Sequence, residues 1–329
     1  MLKDLERNTV LQIALLLVVV LVLWGRALVH PDVMPDACGY SPLYSVLQHT
    51  LAPRLAVVLS LLLSIGGGLL LNLTMVRTAM VPQHSLLPTL FFLALMGSGS
   101  ATLTPTAIVA LFSVIIVDVL MLRGTLLSIS ANKIGHVSVL IGICTLFYQP
   151  AIALLITYLI VAINYRLYGW REWMVMLLGF LAPYLLFWMV FFLNGTLLEH
   201  WSAMLDGFTD YRTALGTLAG ASGIANIVLA VAFAASFISL WGKLGEKTLV
   251  WKKNAASVML FTVAGVAMLP YGTLLPIDLK SFAVPAALCL PLFLVAERTH
   301  THSYRRQKTW RNRLSDALFV IIFIAILIA

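Results

Sequence analysis

The chain has 329 residues, 61% of them hydrophobic and 10% charged, with a formal net charge of +8. That composition excludes a soluble globular protein, and the length suits a single integral membrane domain over residues 1–329. The basic residues lie in short loops between apolar segments, which is what orientation in a bilayer requires and gives no sign of a nucleic-acid partner.

The apolar run Leu11–Trp24 follows Lys3 and Arg7 as a signal-peptide core would, but no convincing small-residue cleavage site comes after it, so it reads as a retained first span, Leu11–Ala27. A polar loop follows, RALVHPDVMPDACGY, carrying Arg26, His30, Asp32 and Asp36. It runs into SPLYSVLQHTL, where Ser41 suits an N-cap and Pro42 the first helical position. Leu43, Val46, Leu47 and Leu51 recur at helical spacing there, with Ser45, Gln48 and His49 turned away, which predicts an amphipathic helix lying flat on the membrane. Residues 26–51 thus form a first outer loop with an interfacial helix.

The next spans are Ala56–Val76, Ala79–Met96 and Pro105–Leu122, with the turn Gly97–Ser100 (GSGS) between the last two. Gly135–Tyr148 and Ala151–Ile163 read as two short helices, because Gln149-Pro150 between them removes a donor and disfavours helix in the residue before proline. Met174–Leu193 is a further span. It leads to a second outer segment, 194–223, in which Leu197, Leu198, Trp201, Leu205 and Phe208 form one helical face and Glu199, Asp206 and Asp210 the opposite one. Ile224–Trp241, Ala255–Leu269, Ser281–Ala296 and Ala317–Ala329 complete a polytopic all-α bundle of about eleven spans, including short hairpins, with two outer interfacial helices.

With the N-terminus inside and the C-terminus outside, the inner segments hold 17 of the 21 Lys and Arg residues and the outer ones only Arg26, Arg54, Arg212 and Lys280. This asymmetry predicts that orientation, and Trp170, Trp173, Trp241, Trp251 and Trp310 fall at the inner boundaries as anchors. The three cysteines, Cys38, Cys144 and Cys289, have no paired or metal-ligand spacing, and the histidines have none either, so no metal site is expected. Nothing in the sequence names a cofactor.

The candidate chemistry faces outward. Within the spans the only acid is Asp118, whereas the outer segments hold Asp32, Asp36, Glu199, Asp206, Asp210 and Asp278 with Arg26, Arg54, Arg212, Lys280, His30, His49 and His200. A near absence of buried carboxylates lowers the reading as an ion-coupled pump.

An acidic residue just after the first span followed by a membrane-parallel helix is the layout of Asp32, Asp36 and Ser41–Leu51, and GHVSVLIGICTLFYQPAIALLI at Gly135–Ile156 has the form of a short hairpin. In these features the region Leu11–Leu193 resembles the multi-pass, polyprenyl-phosphate-dependent glycosyltransferases of the C superfamily, although the large soluble C-terminal domain of many members is missing. LFYQP at Leu146–Pro150, YRLYGWREW at Tyr165–Trp173 and LLGFLAPYLLF at Leu177–Phe187 also resemble a family of uncharacterised multi-pass inner-membrane proteins of Bacteroidota. That likeness implies a bacterial inner (cytoplasmic) membrane and carries no activity with it.

The glycosyltransferase resemblance implies transfer at the outer face from a polyprenyl-phosphate carrier to a glycan or protein acceptor. An inverting transfer needs a carboxylate to take the acceptor proton and cations to stabilise the departing phosphate. Asp32 and Asp36 are the candidate bases, and Arg26, His30, Arg54, Arg212 and Lys280 the candidate phosphate ligands. Each also has a structural reading: aspartates beside prolines are ordinary turn residues, and arginines at span ends snorkel. Two other classes stay open. One is a lipid or glycan transporter, which would need a polar path that Asn72, Asn226 and scattered Ser and Thr barely supply; the other is a non-catalytic membrane subunit of an envelope complex.

Overall fold

The computed structural model describes residues 9–31, 34, 41–82, 85–124, 131–165, 169–209, 221–243, 249–268, 279–296, 317 and 319–324. Its elements are all helical: α1 (Thr9–Val29), α2 (Pro42–Thr50), α3 (Pro53–Arg77), α4 (Leu87–Gly97), α5 (Pro105–Gly124), α6 (Ala131–Phe147), α7 (Ile152–Asn164), α8 (Trp170–Leu193), α9 (Leu197–Thr209), α10 (Ala221–Lys243), α11 (Leu249–Met268) and α12 (Ala283–Ala296). Short 3-10 turns at Gln149–Ala151 and Leu279–Phe282 precede α7 and α12. Among the described residues three helices are long and apolar enough to cross a membrane, namely α1, α3 and α8, and several shorter apolar helices pack with them. The protein is thus an all-helical chain with the features of a multi-pass membrane protein.

At the centre stands α4. Its sequence, LPTLFFLALMG, is apolar all round, and all its residues are buried, as such a pattern requires. It packs against α1, α3 and α12. The expected span Ala79–Met96 is helical only in its second half: Ala79 has φ +53, and α4 begins at Leu87 with Pro88 in its first turn. Pro82 and Pro88 explain the shortening, because neither supplies the N–H that a continuing helix would use.

Small residues let these helices approach closely. A Cβ on Gly68 of α3 would meet Thr89 Cγ2 at 3.1 Å, and Thr89 Oγ1 donates to Gly68 O at 3.0 Å. Helices α6 and α8 also cross closely. A Cβ on Gly142 would lie 2.6 Å from Phe180 O, and one on Gly179 2.9 Å from Ser138 Cβ. Without a hydrophobic force between helices in lipid, such contact is a main source of association. The other side of α8 is exposed from Leu177 and Leu178 to Phe192 and Leu193.

The expected break at Gln149-Pro150 is present: α6 ends at Phe147, a 3-10 turn spans Gln149–Ala151, and α7 starts at Ile152. Gly97–Ser100 likewise ends α4, with Gly99 at φ +71. The helix ends meet as an up-and-down path demands. Tyr148 Oη, after α6, donates to Met268 O at the end of α11 (3.2 Å), and Leu86 N, before α4, donates to Gln12 Oε1 near the start of α1 (2.7 Å). The end holding Tyr148, Met268 and Gly97 is called the upper end below. Of the last predicted span, residues 319–324 are helical, and Phe319 stacks edge-on against Phe91 of α4 at 5.8 Å between centroids.

The two kinds of glycine separate in a direct test. Gly142→Ala is expected to lower the stability of the detergent-solubilised protein by about 1–3 kcal/mol, as overpacking against a backbone oxygen does. Gly66→Ala, whose Cβ meets nothing within 4 Å, is expected to be neutral or to stabilise by up to about 1 kcal/mol through helix propensity. Thermal unfolding of the two variants side by side checks both.

Candidate functional site

The upper end is built outward from the segment between α4 and α5. Its sequence, SATLTPT, alternates hydroxyl and apolar residues, and a period of two sends Ser100, Thr102 and Thr104 to one side of an extended chain. Leu103 goes the other way, into a small cluster with Met34, Tyr44, Ala56 and Ile108. Thr104 caps α5: its Oγ1 accepts from Ala107 N at 3.2 Å, and Pro105 occupies the first helical position.

Lys280 enters this hydroxyl row from the 3-10 turn Leu279–Phe282, which packs against α4, α5, α11 and α12. The side chain is 1% exposed. Its ammonium donates to Ser100 O, to Ser100 Oγ at 3.3 Å and to Thr104 Oγ1 at 3.4 Å. Thr102 Oγ1 donates to Ser100 Oγ at 3.4 Å, and Thr104 and Thr106 share a hydrogen bond at 3.0 Å. A buried ammonium is costly unless its donors are met, and here oxygens from a neighbouring segment meet it. Lys280 was expected as a phosphate ligand; the structure seats it in a protein cradle below the surface. Sequence reasoning passed over that cradle, although the S-x-T-x-T-x-T alternation after GSG was a usable signal.

The helix α2 roofs the same region, and its orientation corrects the expectation. Pro42 and Tyr44 are its buried residues, and Tyr44 is fully enclosed against Ala56, Leu103 and Ile108, whereas Val46 is 59% exposed. The inward face therefore runs through Tyr44, Leu47 and Leu51, about one residue round from the face predicted, and α2 is docked on α3, α5 and α6. The reason is Tyr44: burying its ring against protein outweighs the aliphatic stripe. Ser41 stands at the N-cap position but makes no capping bond, while Gln48 Nε2 reaches Met34 O at 3.3 Å and ties the roof to the first loop.

Arg26 in the last turn of α1, His30 just beyond it and Arg54 in the first turn of α3 are exposed at this end, and their side chains make no hydrogen bond or ion pair with a described residue. They are not brought onto Lys280's oxygens. Asp32, Asp36 and Arg212 lie outside the described residues, as do Asp210 and Asp278.

The helix predicted for the second outer segment forms at Leu197–Thr209. On α9, Glu199 and Asp206 are exposed, and Leu198, Trp201 and Leu205 are also exposed, on an apolar side suited to lipid. Gln149 Nε2 donates to Met204 O at 3.1 Å and Trp188 meets Trp201 edge-on at 5.2 Å, fixing α9 against the α6–α7 turn and α8. Between α8 and α9 opens an apolar cleft of about 470 Å³, walled by Leu185, Met189, Phe192, Leu198 and the two tryptophans.

No family model, curated protein or solved structure matches this chain.

The cradle predicts a graded response. Lys280→Met, which takes the side-chain donor from Ser100 O and one of the donors from each of two hydroxyls, is expected to cost about 2–4 kcal/mol in thermal or denaturant unfolding. Thr104→Val removes one acceptor and the α5 cap together and is expected to cost about 1–2 kcal/mol.

Proposed function

We propose that this protein is a multi-pass enzyme of the bacterial cell envelope. It transfers a glycosyl group at its upper face from a polyprenyl-phosphate-linked donor to a glycan or protein acceptor. The observation that carries the reading is the joint presence, at one end of the bundle, of groups for each part of such a substrate. Arg26, His30 and Arg54 are exposed cations or potential cations in the rim, and the α8–α9 cleft is an apolar berth at the depth of an isoprenoid chain.

In this reading Asp32 and Asp36 supply the base that takes the acceptor proton. Arg26, Arg54, Arg212 and His30 bind the departing phosphate. Lys280, held in its cradle, adds a fixed positive charge below the mouth that acts through its field in a medium of low dielectric. The proposal includes eleven crossings with the N-terminus inside. Its support is that α5, α10 and α11 run 20, 23 and 20 residues, which at about 1.5 Å per residue reaches the hydrocarbon thickness of about 30 Å.

One observation favours a second reading, a non-catalytic subunit of an envelope complex: the ammonium of Lys280 is turned onto protein oxygens, as a structural pin would be. Transfer assays in proteoliposomes with polyprenyl-phosphate-linked sugars separate the two. Asp32→Asn combined with Asp36→Asn is expected to lower transfer by at least about 100-fold with insertion unchanged. Arg54→Ala is expected to raise KM for the lipid donor about tenfold, the loss of one charge-assisted contact of about 1.4 kcal/mol, with kcat little altered. Full activity of the double aspartate variant would remove the catalytic assignment.

A further inference from the structure

The opposite, lower end carries a polar group that the reading above does not use. The last residue of α7 is Asn164, and Tyr165 follows it. The Tyr165 hydroxyl donates to Asn254 Oδ1 on α11 at 3.2 Å and accepts from Ser257 Oγ at 3.3 Å. The Lys253 ammonium stands 5.8 Å from the centre of the Tyr165 ring. Asn254 is fully buried, yet its amide nitrogen has no acceptor among the described residues, and the buried amide nitrogen of Asn164 has none there either.

Two buried N–H₂ groups without acceptors are expensive, at about 1–3 kcal/mol each. Both are donors, and the Lys253 ammonium lies over the ring of Tyr165, which follows Asn164 and bonds Asn254, so the partner that suits all three is an acceptor of negative charge. Flipping the Asn254 amide does not cure the deficit, because its oxygen then loses the tyrosine hydroxyl as donor. The one acid of the neighbouring α8 start, Glu172, is turned to Gly169 N at 2.7 Å.

We infer that the lower ends of α7 and α11 form a phosphate-binding site, in which the amides of Asn164 and Asn254 and the ammonium of Lys253 receive phosphate oxygens. A phosphate offers several acceptor oxygens in different directions, which suits donors arriving from two helices. The site lies at the water boundary of the bundle, where Trp170 and Trp173 begin α8 and Trp251 precedes Lys253. Lipid head groups lie at the same level, so the phosphate is that of an anionic phospholipid or a free phosphate species. Tyr165 is the positioning residue: its ring lies beside the lysine and its hydroxyl fixes the asparagine.

The test uses the full chain in neutral detergent and follows the thermal midpoint while short-chain phosphatidylglycerol or inorganic phosphate is titrated in. A rise with phosphatidylglycerol alone supports the site with a lipid as its ligand; a rise with both, or with phosphate alone, supports it with free phosphate as a ligand. Asn254→Asp keeps the acceptor for Tyr165 and replaces the free donor by a negative oxygen, so it is expected to weaken binding at least tenfold. Lys253→Gln is expected to weaken it three- to tenfold, and with Asn164→Asp it keeps the test open should the Asn254 variant fail to fold. No rise of the wild-type midpoint with either ligand would overturn the proposal, leaving a bridging water as the occupant. Undiminished binding in the variants that fold would overturn it as well.

Discussion

The constraint on which this structure depends is the shortness of α4. An 11-residue helix is about 16 Å long, roughly half of a bilayer's hydrocarbon thickness, and α4 is buried on every side. Its ends therefore stop where water cannot satisfy the backbone, and other elements must do so. At the lower end Gln12 of α1 accepts from Leu86 N, in the place of an N-cap side chain. At the upper end Ser98 Oγ returns to Leu95 O at 2.7 Å, and beyond it Lys280 donates to Ser100 O. Gln12 and Lys280 come from positions 74 and 180 residues away from their partners, so the caps of one short helix draw the first helix and the α11–α12 connection onto the core.

The same accounting explains why polar residues within the bundle are hydroxyls and amides rather than charges. Ser113, Thr145 and Thr262 return their hydroxyls to carbonyls three or four residues back, which satisfies them at little cost in lipid. Asp118, the acid noted within the spans, accepts from Thr74 Oγ1 at 2.5 Å across the α3–α5 contact. It is positioned as a local tie between two helices, and no second acid joins it among the described residues of α3 and α5.

Much of the architecture was legible from local chemistry. Pro150 marked the α6–α7 turn, GSGS marked the end of α4, and the alternation of acids and large apolar groups after Asn194 marked α9. These are decisions that a few neighbouring residues make by themselves. The facing of α2 was not of that kind. Its aliphatic stripe is a property of the helix alone, but the pocket formed by Ala56, Leu103 and Ile108 comes from two other helices and the α4–α5 segment and accepts a tyrosine ring. The cradle of Lys280 was half legible: the hydroxyl alternation is local, and the lysine that it receives is a tertiary fact.

The two ends of the bundle use basic residues in opposite ways. At the upper end Lys280 is enclosed with its oxygens supplied by the chain, so the charge is part of the scaffold, while Arg26 and Arg54 are exposed. At the lower end Lys253 is only half-buried, and the groups next to it, Asn164 and Asn254, present nitrogen where the upper cradle presents oxygen. A lysine among oxygens is neutral in its demands on solvent and holds segments together. A lysine among unpaired N–H donors leaves a concentration of positive potential that only an anion or water relieves. The difference lies in the neighbours rather than in the lysine, so a count of basic residues along the sequence does not tell which of them the chain itself holds.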